Sequence, residues 1–192
     1  RDIHSVESQV ALTLPDLARL AALPELRELL EEQIPLTLQQ KHRVAGIFER
    51  YGQQPGNDES KGMKGLIEGG NEHLARVLDD TVRDLMLIAH CSRIKYYEIA
   101  AYHFATTLAE NLGYYKEAET LSTIWEEERD VSHALQTNAA EVTRVADAIA
   151  PARVWPPREY VNAKRDELQV RHARFGDTSD NLEPNLKEGP GG

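Results

Sequence analysis

Apolar residues recur at alternating steps of three and four along four long stretches of this chain, while period-two alternation is almost absent. Helices place such positions on one face, whereas strands need every second residue to be apolar. The spacing therefore predicts an all-α fold, four long helices packed as a bundle.

The first stretch carries Ile3, Val6, Val10, Leu14, Leu17 and Leu20, with a kink expected at Pro15 because proline removes a backbone donor. Pro24 suits the first turn of the second stretch, which continues through Leu26, Leu30, Ile34, Leu38, Val44, Ile47, Phe48 and Tyr51 with a bend expected at Pro35. Residues 52–62 have turn composition and read as a connection, and a short helix around Lys64 to Leu74 bridges the bundle end. The third stretch, about Leu78 to Leu112, is apolar on more than one side, as a central helix must be. Gly113 ends it as a C-terminal cap. The fourth, about Lys116 to Ile149, is close to a heptad, interrupted by Glu128. Residues 1–150 are thus expected to form the bundle. Residues 151–192 read as a C-terminal extension, one helix at about Arg158 to Arg174 followed by an irregular segment, because Pro151 and Val154-Trp155-Pro156-Pro157 break the pattern.

A net charge of −10 argues against nucleic acid and anionic membrane, which select clustered Lys and Arg. No run approaches the roughly 18 apolar residues of a membrane span, and the chain reads as cytoplasmic. A single cysteine, Cys91, leaves metal chemistry to carboxylates and imidazoles. The seven histidines form no spaced cluster and are expected to be exposed or hydrogen-bonded in the core, and Cys91 to be inert packing.

Acids on apolar faces carry most of the functional signal, since burying a lone carboxylate costs several kcal/mol unless something compensates it. Glu7 lies one turn from Ile3 and next to Val10 and Leu14, Glu98 is on the line of Cys91, Ile94, Ala101 and Ala105 on the third helix, and Glu128 breaks the seam of the fourth. Carboxylates converging from separate helices build di-iron and di-manganese sites in bundles. Iron or manganese bound by Glu7, Glu98 and Glu128 is one expectation; solvated or snorkelling glutamates without any metal are the other.

Val6-Glu-Ser-Gln9, Met63-Lys-Gly-Leu-Ile-Glu-Gly-Gly-Asn71, Tyr97-Glu-Ile-Ala-Ala-Tyr102, Thr107-Leu-Ala-Glu-Asn-Leu-Gly113 and Trp125-Glu-Glu-Glu128 resemble, in order over about residues 1–145, the YciE/YciF-like family of bacterial ferritin-like proteins. The resemblance implies a ferritin-like four-helix bundle, commonly a homodimer, cytoplasmic and stress-related, with a dinuclear metal site. Glu7, Glu98 and either Glu127 or Glu128 match family acids. Others are lost: Pro35-Leu36-Thr37 replaces an acidic segment, Lys95 the first glutamate of a Glu-x-x-Glu pair, and Ser132 an aspartate. Two functional expectations follow. One is a ferritin-like, stress-related protein with an incomplete iron or manganese site. The other is a metal-free bundle acting through dimerisation or partner binding, in which Lys95 substitutes for the metal's charge. Residues 158–192 resemble an internal segment of bacterial protein-PII uridylyltransferases, without the Gly-Ser and Asp-x-Asp motifs of nucleotidyl transfer.

Overall fold

A computed structural model describes the backbone of residues 1–149 and side chains up to Arg144. Within them all regular structure is helical: α1 (Asp2–Leu20), α2 (Pro24–Arg50), α3 (Lys61–Leu74), α4 (Asp80–Asn111) and α5 (Tyr115–Ile149). The four long helices are the four apolar stretches, and α3 is the bridging helix, beginning three residues earlier than its composition suggests. Both α1 and α2 continue as helix through Pro15 and Pro35. The chain from Arg1 to Ala146 forms one compact unit. The helix expected at about 158–174 and the irregular segment after it lie outside the described residues.

Short connections make two helical hairpins, α1–α2 and α4–α5, joined by the long connection that carries α3. At the α4–α5 turn Gly113 adopts φ 79°, a conformation open to glycine at little steric cost. Its N–H reaches the Glu110 carbonyl at 3.0 Å, and the Tyr114 N–H reaches Ala109 at 2.9 Å, so the last carbonyls of α4 are satisfied. The other end of α4 is capped by Asp79, whose side chain accepts from the Val82 N–H at 2.9 Å.

Asp84 does a different job one turn further in. It is buried, and its two oxygens accept the N–H groups of Ala22 and Leu23, each at 2.8 Å. A single carboxylate thus fixes the α1–α2 turn onto α4. Hydrogen bonds to a charged acceptor contribute about 1.5–3 kcal/mol each. Asp84→Ala is therefore expected to cost about 3 kcal/mol in urea unfolding, with Asp84→Asn intermediate because an amide offers one acceptor oxygen. Equal stabilities for the three proteins would show that the turn holds without it.

Helix α4 is buried on several sides, from Leu87 and Ile88 to Tyr102 and Ala109, as expected of a central helix. Its approach to α3 is close: a Cβ on Gly70 would lie 2.0 Å from the His90 ring, so only glycine fits there. His90 itself departs from expectation, being buried with neither ring nitrogen partnered among the described residues. Burial shifts its pKa down, which keeps the imidazole neutral against the glycine.

Two apolar clusters make up the core. One gathers Val10, Leu14, Leu30, Met63, Leu87, Ile94, Val131 and Leu135 with their neighbours; the other gathers Val44, Tyr102, Ala109, Ala118, Leu121 and Ile124. Between Ile94 and Tyr102 on α4, Ile124 and Val131 on α5, and Leu30 and Val44 on α2, the buried residues are polar.

Candidate functional site: a carboxylate belt around Lys95

The polar layer is supplied by all four long helices. α1 contributes Glu7, α2 contributes Gln33, Thr37 and Gln40, α4 contributes Lys95 and Glu98, and α5 contributes Glu128 and Ser132, all buried. Glu7, Glu98 and Glu128 have 0% exposure and Lys95 2%, which excludes snorkelling to solvent. On α2 the inward positions run Leu26, Leu30, Gln33, Thr37, Gln40 and Val44, and Leu38, expected inside, is half exposed. Buried charge favours polar over apolar neighbours, so α2 turns uncharged polar side chains toward the layer where an apolar seam would have put leucine.

The Lys95 ammonium joins two of the acids, 2.9 Å from Glu98 Oε2 and 2.6 Å from Glu128 Oε2. Both are ion-pair distances. Each contact places a charged donor against a carboxylate oxygen inside the bundle. Glu7 is held separately, accepting a hydrogen bond from the Tyr102 hydroxyl. The choice between Glu127 and Glu128 is resolved by direction. Glu128 faces the belt, whereas Glu127 turns to the edge and takes Arg43 Nη1 at 2.9 Å and Gln40 Nε2 at 3.0 Å.

Three buried carboxylates face one ammonium, so neutrality requires protons. Burial, reinforced by the Glu128 charge, lifts the Glu7 carboxyl to about 7 against the pull of Tyr102, Lys95 and Arg43. Burial and the Glu128 charge also push Glu98 well above the ordinary range. Lys95 shifts the other way from a lone buried lysine: desolvation works to lower its pKa, but Glu128 and Glu98 outweigh it and keep the group charged. Tyr102 is raised by burial and by Glu7, so its phenol remains a donor. Burial takes the Cys91 thiol up to about 12, which makes it packing rather than a nucleophile.

The predicted ligands Glu7, Glu98 and Glu128 thus share one interior layer and feel one another's charge. Among the described residues no three His, Cys, Asp or Glu side chains are gathered to hold an ion. Lys95 Nζ already stands between Glu98 and Glu128, and an ammonium has no lone pair to offer a cation. The residues present do not fit a dinuclear metal centre.

Residues 1–147 match the family described as a domain of unknown function, DUF892. The chain belongs to the DUF892 family. Protein YciF of Escherichia coli K12 is 35% identical over 133 residues, 67% of this chain and 78% of that protein. The crystal structure of the E. coli stress protein YciF superposes with a TM-score of 0.70 at 31% identity, covering 73% of this chain and 89% of the other. YcfI of Rhodopseudomonas palustris gives 0.69 at 30% identity over 71% of this chain and 87% of its own. The ferritin-like bundle is therefore the DUF892 fold. Residues 159–192 match a second family, GlnD PII-uridylyltransferase. A bifunctional uridylyltransferase/uridylyl-removing enzyme of Xanthomonas oryzae is 62% identical over 61 residues, 32% of this chain, and the chain spans 7% of that enzyme's length.

The sequence marks Tyr102 as a core aromatic, which its 0% exposure bears out, but neither its hydrogen bond to Glu7 nor the role of Asp84 was foreseen. Tyr102 stands one helical turn beyond Glu98, on the same face, and that spacing was the available signal. Asp84 had no comparable signal, since its partners are backbone groups about sixty residues away.

Proposed function

We propose that this DUF892 protein is a stress-associated helical module of the bacterial cytoplasm that acts by pairing with a second copy of itself rather than by catalysis. The observation that carries the reading is an apolar strip on α4. Phe104, Leu108 and Leu112 follow one another at steps of four and are 70%, 47% and 62% exposed, and Tyr115 at the start of α5 is 73% exposed. Beside it runs a groove lined by Ile47, Tyr51, Ala105, Leu108, Leu112 and Leu121. Contiguous apolar surface of this kind on a chain with 28% charged residues marks an interaction face. The stress association draws on the kinship with YciF.

Light scattering after size-exclusion chromatography tests the pairing. Twice the chain mass is expected at micromolar concentration. Phe104→Glu and Leu108→Glu are expected to give monomers with unchanged helical circular dichroism, because both side chains point outward. A wild-type protein that runs as a monomer throughout the micromolar range contradicts the proposal.

A second reading, a weak iron or manganese site on Glu7, Glu98 and Glu128, draws support from the burial of all three acids in one layer. It requires the Lys95 ammonium to leave the space between Glu98 and Glu128.

A further inference from the structure

We infer that the Lys95 ammonium is the resident cation of the bundle, standing where a ferritin-like site would hold metal, and that it shuts divalent ions out. The inference is independent of pairing, since the belt is buried inside one chain while the apolar strip is on its surface.

The geometry carries the argument. A divalent ion bound by Glu98 and Glu128 would have to occupy the space between their oxygens. Nζ is there already, at 2.9 Å and 2.6 Å. A metal entering this space must displace an ammonium that is 2% exposed. The displaced charge would then be stranded among Ile94, Cys91 and Val131, part of the apolar cluster that adjoins the belt. Burying an uncompensated ammonium costs several kcal/mol, so Lys95 and a metal oppose one another in the same site.

Electroneutrality supplies the second strand. A dinuclear centre brings four or more positive charges and is matched by several carboxylates from all four helices. Here the belt offers three carboxylates, and its α2 share consists of the uncharged Gln33, Thr37 and Gln40. One ammonium suits that smaller negative charge; two divalent ions do not. Lys95 is where the two cations compete directly: Lys95→Glu would put a carboxylate three residues before Glu98, completing a pair on one face of α4.

Three measurements on the full chain test the inference. Wild-type protein incubated anaerobically with Fe(II), or with Mn(II), then desalted, should retain less than about a tenth of an equivalent by elemental analysis. Lys95→Glu should retain close to one equivalent or more of Mn(II), and its thermal midpoint should rise when Mn(II) is added. Nitrogen-15 spectra of lysine-labelled wild type should show one slowly exchanging ammonium near neutral pH, lost in Lys95→Gln. Stoichiometric metal in the wild type that disappears in Glu98→Gln would overturn the inference. So would the absence of a protected ammonium, or a folded Lys95→Glu protein that ignores Mn(II). If Lys95→Glu does not fold with or without metal, the wild-type metal content and the ammonium signal decide the question alone.

Discussion

Lys95→Met is expected to lower the free energy of unfolding by about 3–5 kcal/mol, the usual cost of removing one partner from a buried ion network. Methionine keeps the length of the stem, so packing against Ile94 and Val131 changes little and the loss reads the charge. What is left behind is Glu128 and Glu98 in a dry layer with no cation at 2.6 Å and 2.9 Å. The negative charge left there must then take up a proton or draw in water. Urea titration reads the effect as a fall in midpoint, and the slope should hold if the native fold survives. Removing the acids together with the lysine should behave differently: a Lys95→Met, Glu98→Leu, Glu128→Leu chain has no charge left to strand and should regain most of the loss, because buried ion networks contribute little over apolar residues of similar volume. A Lys95→Met chain within about 1 kcal/mol of wild type would mean that protons, not the ammonium, already neutralise the belt.

The fold was legible because its signal is carried by many residues at once. Losing Leu20 or Leu38 from the apolar faces, both of them substantially exposed, leaves the helical period intact. The belt was legible only where an acid interrupted an apolar run, as Glu128 does between Ile124 and Val131. On α2 no such interruption could be seen, because Gln33, Thr37 and Gln40 look like ordinary surface residues while Ile34 and Leu38 supply a plausible seam. Yet Leu26, Leu30, Gln33, Thr37, Gln40 and Val44 keep the three-four step throughout, and that continuity was the clue. Periodicity fixes which residues share a face, but the partners across the bundle depend on how helices slide and rotate against each other. For that reason the hydrogen bond from Tyr102 to Glu7, and the division of labour between Glu127 and Glu128, came from the structure alone.

The pH dependence of stability should follow the protons that the belt stores. In the folded protein the Glu7 carboxyl titrates at about 7, against an ordinary value of 4.5 when the chain is unfolded. Between those values the folded state holds a proton that the unfolded state has released, so stability falls as pH rises through the window and levels off above it. One pKa unit corresponds to about 1.4 kcal/mol, which makes the Glu7 contribution about 3 kcal/mol between pH 4.5 and pH 8. Glu98, also raised, acts in the same direction. The groups that set the value come from every helix around Glu7: Tyr102, Lys95 and Glu98 on α4, Glu128 on α5 and Arg43 on α2. Glu7→Gln isolates the effect, since an amide oxygen still accepts from the Tyr102 hydroxyl but cannot ionise. The variant should therefore be more stable than wild type at pH 8 and nearly equal to it at pH 5, with urea midpoints compared at both values so that carboxylates elsewhere cancel. Parallel pH profiles for the two proteins would show that Glu7 is ionised in the fold at neutral pH. In that case Arg43 and Lys95 compensate its charge more fully than burial and Glu128 oppose it.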